Sequence, residues 1–175
     1  MKRLLVFLLL ITLILTGCAQ PAESNVQVFN QYGFSIDVGG TAQLASGSDQ
    51  SRFSLYTSVG TLEFTYDDTD AVPVTEKNVV DFANNLDKNS VMEQPVVEQL
   101  ENGAFLVTLP AKSAGNNQNV IESYYITTVD TVDANGTVNG TACWRVYAVT
   151  IEKTYNKDAL VSAMLSLCFA KRESK

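Results

Sequence analysis

The chain has 175 residues, with 12 lysines and arginines against 19 acids, no histidine and a formal charge of −7. The missing histidine excludes a Ser-His-Asp or Cys-His nucleophile pair, histidine-ligated zinc or haem, and imidazole acid–base chemistry. The acidic balance disfavours nucleic acid and anionic lipid as partners, and the spacing of the carboxylates, tyrosines and lysines singles out no catalytic residue and no cofactor.

Lys2 and Arg3 open the chain, and an apolar run from Leu4 to Leu15 follows, interrupted only by Thr12. That run has the length of a signal-peptide core and falls short of the ~20 residues a membrane-spanning helix needs. It ends in Leu15-Thr16-Gly17-Cys18, which fits the lipobox of bacterial lipoproteins. The sequence therefore predicts a signal peptide over 1–17, cleavage between Gly17 and Cys18, and a lipidated Cys18. The two or three acyl chains of such an N-terminus anchor stably, where one chain binds only marginally. Processing removes two basic residues and no acid, so 10 basic residues remain against 19 acids and the charge becomes −9. Residues 18–27 read as a polar tether and 28–175 as one domain, a size sufficient for its own core.

Within that domain Phe34-Ser35-Ile36-Asp37-Val38 alternates apolar and polar residues, as a half-buried strand does, and Gly39-Gly40 breaks it. Residues 53–57 and 62–66 alternate in the same way, and the second run ends in Asp67-Asp68-Thr69-Asp70. Val79, Phe82, Ala83 and Leu86 then form one helical stripe. Thr75 stands as N-cap, which predicts a helix over 76–87. Strands follow at 96–101 and 105–109, joined by the hairpin turn Asn102-Gly103. A long strand covers 121–129, a hairpin tip with Asn135-Gly136 and Asn139-Gly140 covers 130–141, and a central strand covers 142–152. Asn156 caps a second helix, predicted over 157–168, with a buried stripe of Leu160, Ala163, Met164 and Leu167. The predicted class is α+β: a mainly antiparallel sheet of five to seven strands with two principal helices packed on it.

This order of elements, with the opening Tyr32-Gly33-Phe34-Ser35-Ile36, the helix Val79 to Leu86 and the closing pair of Val146–Ile151 and a helix ending Met164-Leu165-Ser166-Leu167, resembles the PsbP-like fold. That group includes the extrinsic photosystem II subunit and many small bacterial lipoproteins. The resemblance spans roughly residues 28–169. The chain departs from it at Gly39-Gly40 and in the long tip at 130–141. It implies a sheet with helices packed on it, and no catalytic residue.

Three groups of side chains are candidate sites. Tyr124, Tyr125, Trp144 and Tyr147 lie on two strands that should pair, and aromatics on one face can form a platform for a ligand or partner. Neighbours on a strand point to opposite faces, so all four cannot share one surface, and packing under the helices is the competing reading. Asp67, Asp68 and Asp70 could give oxygen ligands to calcium, but they lack the spacing of an EF-hand loop, and a solvated acidic turn explains them as well. Asp130 and Asp133 beside Asn135-Gly136 are explained by turn chemistry. Once Cys18 is lipidated, Cys143 and Cys168 are left as a pair that an oxidising compartment could join, closing a loop worth roughly 3 kcal/mol. A strand from 143 to 153 rises about 33 Å and a helix from 156 to 168 about 18 Å. The helix alone does not bring the two together, and two free thiols are the alternative.

The sequence thus predicts a lipid-anchored envelope lipoprotein outside the cytoplasm. It would act as a non-enzymatic binding or accessory module whose partner is a protein or small ligand. The alternatives are a calcium-dependent or carboxylate-based enzyme or adhesin acting on surface glycans, and an assembly factor for a membrane complex.

Overall fold

The computed structural model describes residues 25–46, 49–67, 74–86, 93–113 and 115–173. The signal segment, Gly17, Cys18, Asp68 and Asp70 lie outside these. None of the helices among the described residues is long and apolar enough to cross a membrane.

Tyr32 closes a short 3-10 turn over Asn30–Tyr32, and Gly33 leaves it in the left-handed region at φ 67°, where a side chain would be strained. This reverses the chain, so that β1 (Gln27–Phe29) pairs antiparallel with β2 (Phe34–Ile36). After the short β3 (Gln43–Leu44), β4 (Arg52–Thr57) and β5 (Gly60–Asp67) form a hairpin in which Phe53, Leu55, Leu62 and Phe64 are buried at alternate positions. Gly60 sits where a Cβ would lie 2.9 Å from the Val149 carbonyl oxygen, so β5 can approach the neighbouring strand only with glycine there.

Helix α1 runs over Glu76–Asn84, and the Thr75 hydroxyl accepts the Asn78 amide at its N-terminus. Strands β6 (Val96–Gln99) and β7 (Phe105–Lys112) flank the Asn102-Gly103 turn. The long partners β8 (Asn119–Val132) and β9 (Val138–Ile151) form a hairpin of 14 residues a side, which makes its tip shorter than the 130–141 predicted. Asp133 organises the tip by accepting the backbone N–H groups of Asn135 and Thr137. Asn139-Gly140 makes no turn. The register passes from Thr131↔Gly140 to Val132↔Val138 and leaves Asn139 as an extra residue, a β-bulge.

Helix α2 (Lys157–Leu165) starts at the Asn156 cap, whose side chain accepts the Ala159 amide. It stops three residues short of the predicted end, and the chain then extends as β10 (Cys168–Phe169) and β11 (Arg172–Glu173). The Ser166 hydroxyl accepts the Asp37 amide at 2.8 Å, and Ala170 donates to the Gly33 carbonyl, so β2 recruits these residues away from the helix.

The main sheet has the order β3-β4-β5-β9-β8-β7-β6 and is antiparallel throughout this path, while β11 adds to the end of β8 in parallel. With β11 the main sheet has eight strands, one more than the five to seven expected, and a second sheet, β1-β2-β10, was not anticipated. It lies with α2 on one face of the main sheet, where Tyr32, Phe34, Phe53, Phe64, Trp144, Leu160 and Met164 form the large core. Helix α1 covers only the β6–β8 side of the other face, over Phe105, Val107, Leu109 and Ile126. The α+β class with a mainly antiparallel sheet and two helices is what the structure contains.

Candidate functional site

Strand alternation divides the four aromatic candidates two and two. Tyr125 pairs with Val146 and Thr127 with Trp144, which sends Tyr125 and Trp144 into the large core at 2% and 0% exposure. There Phe169 stacks on Trp144 at 4.8 Å, and the edges of Phe53 and Phe64 meet it at 5.8 and 6.4 Å. The Tyr125 hydroxyl accepts the Asn102 side-chain amide, which ties β8 to the β6–β7 turn. These two are packing residues, not part of a ligand surface.

Tyr124 and Tyr147 are direct cross-strand partners on the opposite face, with ring centroids 4.8 Å apart. Phe82 of α1 meets Tyr124 edge-on at 5.3 Å. Glu122, two residues before Tyr124, accepts the Tyr124 hydroxyl at 3.2 Å, and Glu63 of β5 stands opposite Tyr147. Burial, first, and then the charges of Glu122 and Glu63 push both phenols well above the ordinary tyrosine range. Both remain neutral hydrogen-bonding groups at physiological pH and are unsuited to act as bases. The next row of the face carries Thr65, Arg145 and Ile126, and the row beyond it Asp67, Cys143 and Thr128. On this side Glu63, Thr65, Asp67, Cys143, Arg145 and Tyr147 are half-buried, and Cys143 packs at the edge of the cluster under α1.

Glu122 and Glu63 escaped the sequence reading. The signal for Glu122 was present in its i, i+2 spacing from Tyr124 on an alternating strand. The place of Glu63 depends on β5 lying beside β9, which no local pattern encodes.

The cysteines do not pair: Cys143 and Cys168 are both free. Cys143 is on the face of β9 that packs with the α1 cluster, whereas Phe169, next to Cys168, stacks on Trp144 on the other face. Helix α2 ends at Leu165 and the chain extends beyond it, but the extension carries Cys168 along β2 and not to Cys143. Burial raises the Cys143 thiol, with Asp67 adding to the rise and Arg145 opposing it, while Cys168 is exposed. Asp67 ends β5 opposite Cys143, and among the described residues no three His, Cys, Asp or Glu side chains are grouped to hold a metal. Asp130 forms an ion pair with Lys171 at 3.4 Å.

Comparison with protein-family models, with characterised proteins and with solved structures returns no match.

Proposed function

We propose that this chain is a lipid-anchored lipoprotein of the cell envelope, exported from the cytoplasm, and that its folded domain is a non-enzymatic binding or accessory module with a PsbP-like arrangement. The observation that carries the reading is the sequence Leu15-Thr16-Gly17-Cys18 behind a basic start and an apolar run. The fold reading is supported by the buried opening strand at Phe34–Ile36, by a mid-chain helix, and by a closing strand and helix. The binding reading is supported by the half-covered sheet face, where rings and carboxylates meet beside a single short helix. Its partner would be an envelope protein or a small ligand, and the lipid would hold the domain at the membrane.

The test is metabolic labelling with radioactive palmitate followed by membrane fractionation. The native chain should carry label and sediment with membranes, and Cys18→Ala should do neither. Label retained by the variant would refute the anchor.

A further inference from the structure

The strongest unexplained arrangement is the row Glu63, Tyr147, Tyr124 with Glu122 beside it. It places two carboxylates around one pair of tyrosine rings. The ion pairs among the described residues are Lys157–Glu98 and Lys171–Asp130, so neither Glu63 nor Glu122 has a described cation within 4.0 Å. Arg145 is in the adjacent row of β9, beside Thr65 and Ile126, and is not joined to either carboxylate. Glu63 on β5 and Glu122 on β8 flank the tyrosine pair from either side of β9, so a cation seated on the rings is attracted by both carboxylates. Tyrosine faces attract the same cation through the ring quadrupole. A planar guanidinium meets both demands, because it stacks on an aromatic ring while its N–H fork bonds a carboxylate. The overall charge of −7 adds long-range attraction for a basic segment.

From this charge complementarity we infer that the Glu63–Tyr147–Tyr124–Glu122 face docks an arginine side chain presented by a partner protein. The guanidinium lies against the tyrosine pair and bonds Glu63 and Glu122, and Phe82 of α1 walls one side. The inference rests on the reading of this domain as a binding module and specifies its partner's chemistry.

The experiment is an NMR titration of the purified full chain in mild detergent. The probes are a capped glycine–serine peptide carrying one arginine and the same peptide with citrulline, which keeps the shape and removes the charge. The arginine peptide should shift the signals of Glu63, Glu122, Tyr124 and Tyr147. The citrulline peptide should bind about tenfold more weakly or worse, the scale of losing hydrogen bonds to a charged group. Glu63→Gln with Glu122→Gln should weaken the arginine peptide similarly, and Glu122→Gln alone should weaken it in part. Arg145→Gln should tighten it by removing a like charge, and Glu101→Gln, in an exposed turn, should leave it unchanged. Equal binding of the citrulline peptide, or binding indifferent to both glutamates in a chain with a dispersed native spectrum, would overturn the inference. The palmitate result is independent, so a labelled, membrane-bound chain that ignores arginine fails here while keeping its anchor.

Discussion

On one face of the main sheet Ala142, Trp144, Val146 and Ala148 of β9 are all buried, under a second sheet, helix α2 and a stack of aromatic rings. On the other face Cys143, Arg145, Tyr147 and Val149 of the same strand are only half-buried, and helix α1 covers just the far strands. One strand therefore serves two purposes. Its even positions contribute packing, where burial of ring surface is the main stabilising force. Two of its odd positions, Arg145 and Tyr147, hold a charge and a phenol on the half-open side, where stability depends less on them and recognition can. The difference teaches where to look for function in a chain without histidine: on the side of the strand that the fold leaves partly open.

The sharpest way to break this comparison is to truncate an aromatic on each face. Trp144→Ala should cost about 3–5 kcal/mol, because it empties a site lined by Phe53, Phe64 and Phe169. Tyr147→Ala loses one cross-strand ring pair and the burial of a half-covered ring, and should cost less, about 2 kcal/mol. Thermal unfolding of the two variants measures both. Equal losses would mean that the half-covered face bears as much of the fold as the closed one.

A smaller effect separates the cysteines. Under native, non-reducing conditions both should alkylate, Cys168 faster than Cys143, since Cys168 is exposed and the Cys143 thiol is raised by burial. Mass spectrometry of timed samples reads the order, and a chain that took up no label at either position would instead contain the bridge. Smaller again are the helix caps. Thr75→Ala and Asn156→Ala should each cost about 1 kcal/mol. The loss at Asn156 should loosen α2 over the closed face, and the loss at Thr75 should loosen α1 over the open one. Amide exchange resolved by residue distinguishes the two, and protection unchanged in the matching helix would argue against the caps.

Much of the closed face was legible in the sequence. Residues 34–38, 53–57 and 62–66 alternate because one side of each strand is buried, and both helices announce themselves by stripe and cap. The second sheet was not legible. Its strands are two or three residues long, and β10 follows α2 without a glycine or proline to mark the break, so Ser166-Leu167-Cys168 read as more helix. The hydrogen bonds that end the helix come from Asp37, 129 residues away. The open face was half legible. Tyr124 and Tyr147 were named as candidates from pattern alone, but their separation from Tyr125 and Trp144 needed the register of β8 against β9. The approach of Glu63 needed the neighbour of β9 on its other side.

The smallest predicted effect reports most directly on the open face. In the unfolded chain a tyrosine ionises near pH 10. In the folded chain Tyr124 and Tyr147 hold their protons to higher pH, first because they are buried and then because Glu122 and Glu63 oppose a second negative charge. Below about pH 10 both states keep these protons, so the contribution to stability is complete there. As pH climbs above that value the unfolded chain releases them first, and stability falls. Glu122→Gln removes one of the two charges and the charged partner of the Tyr124 hydroxyl. Stability near neutral pH should change by no more than about 1 kcal/mol, the worth of one hydrogen bond. The tyrosinate absorbance of the native chain should nevertheless rise at a lower pH than in the parent, because the phenols have lost a cause of their upward shift. Tyr125 provides the internal control. Burial in the large core raises it while its bond with Asn102 opposes the rise, and neither glutamate contributes. Its ionisation should stay where it is when Glu122 is replaced, so a titration in which all three tyrosines moved together, or none moved, would show that Glu122 does not govern the open face.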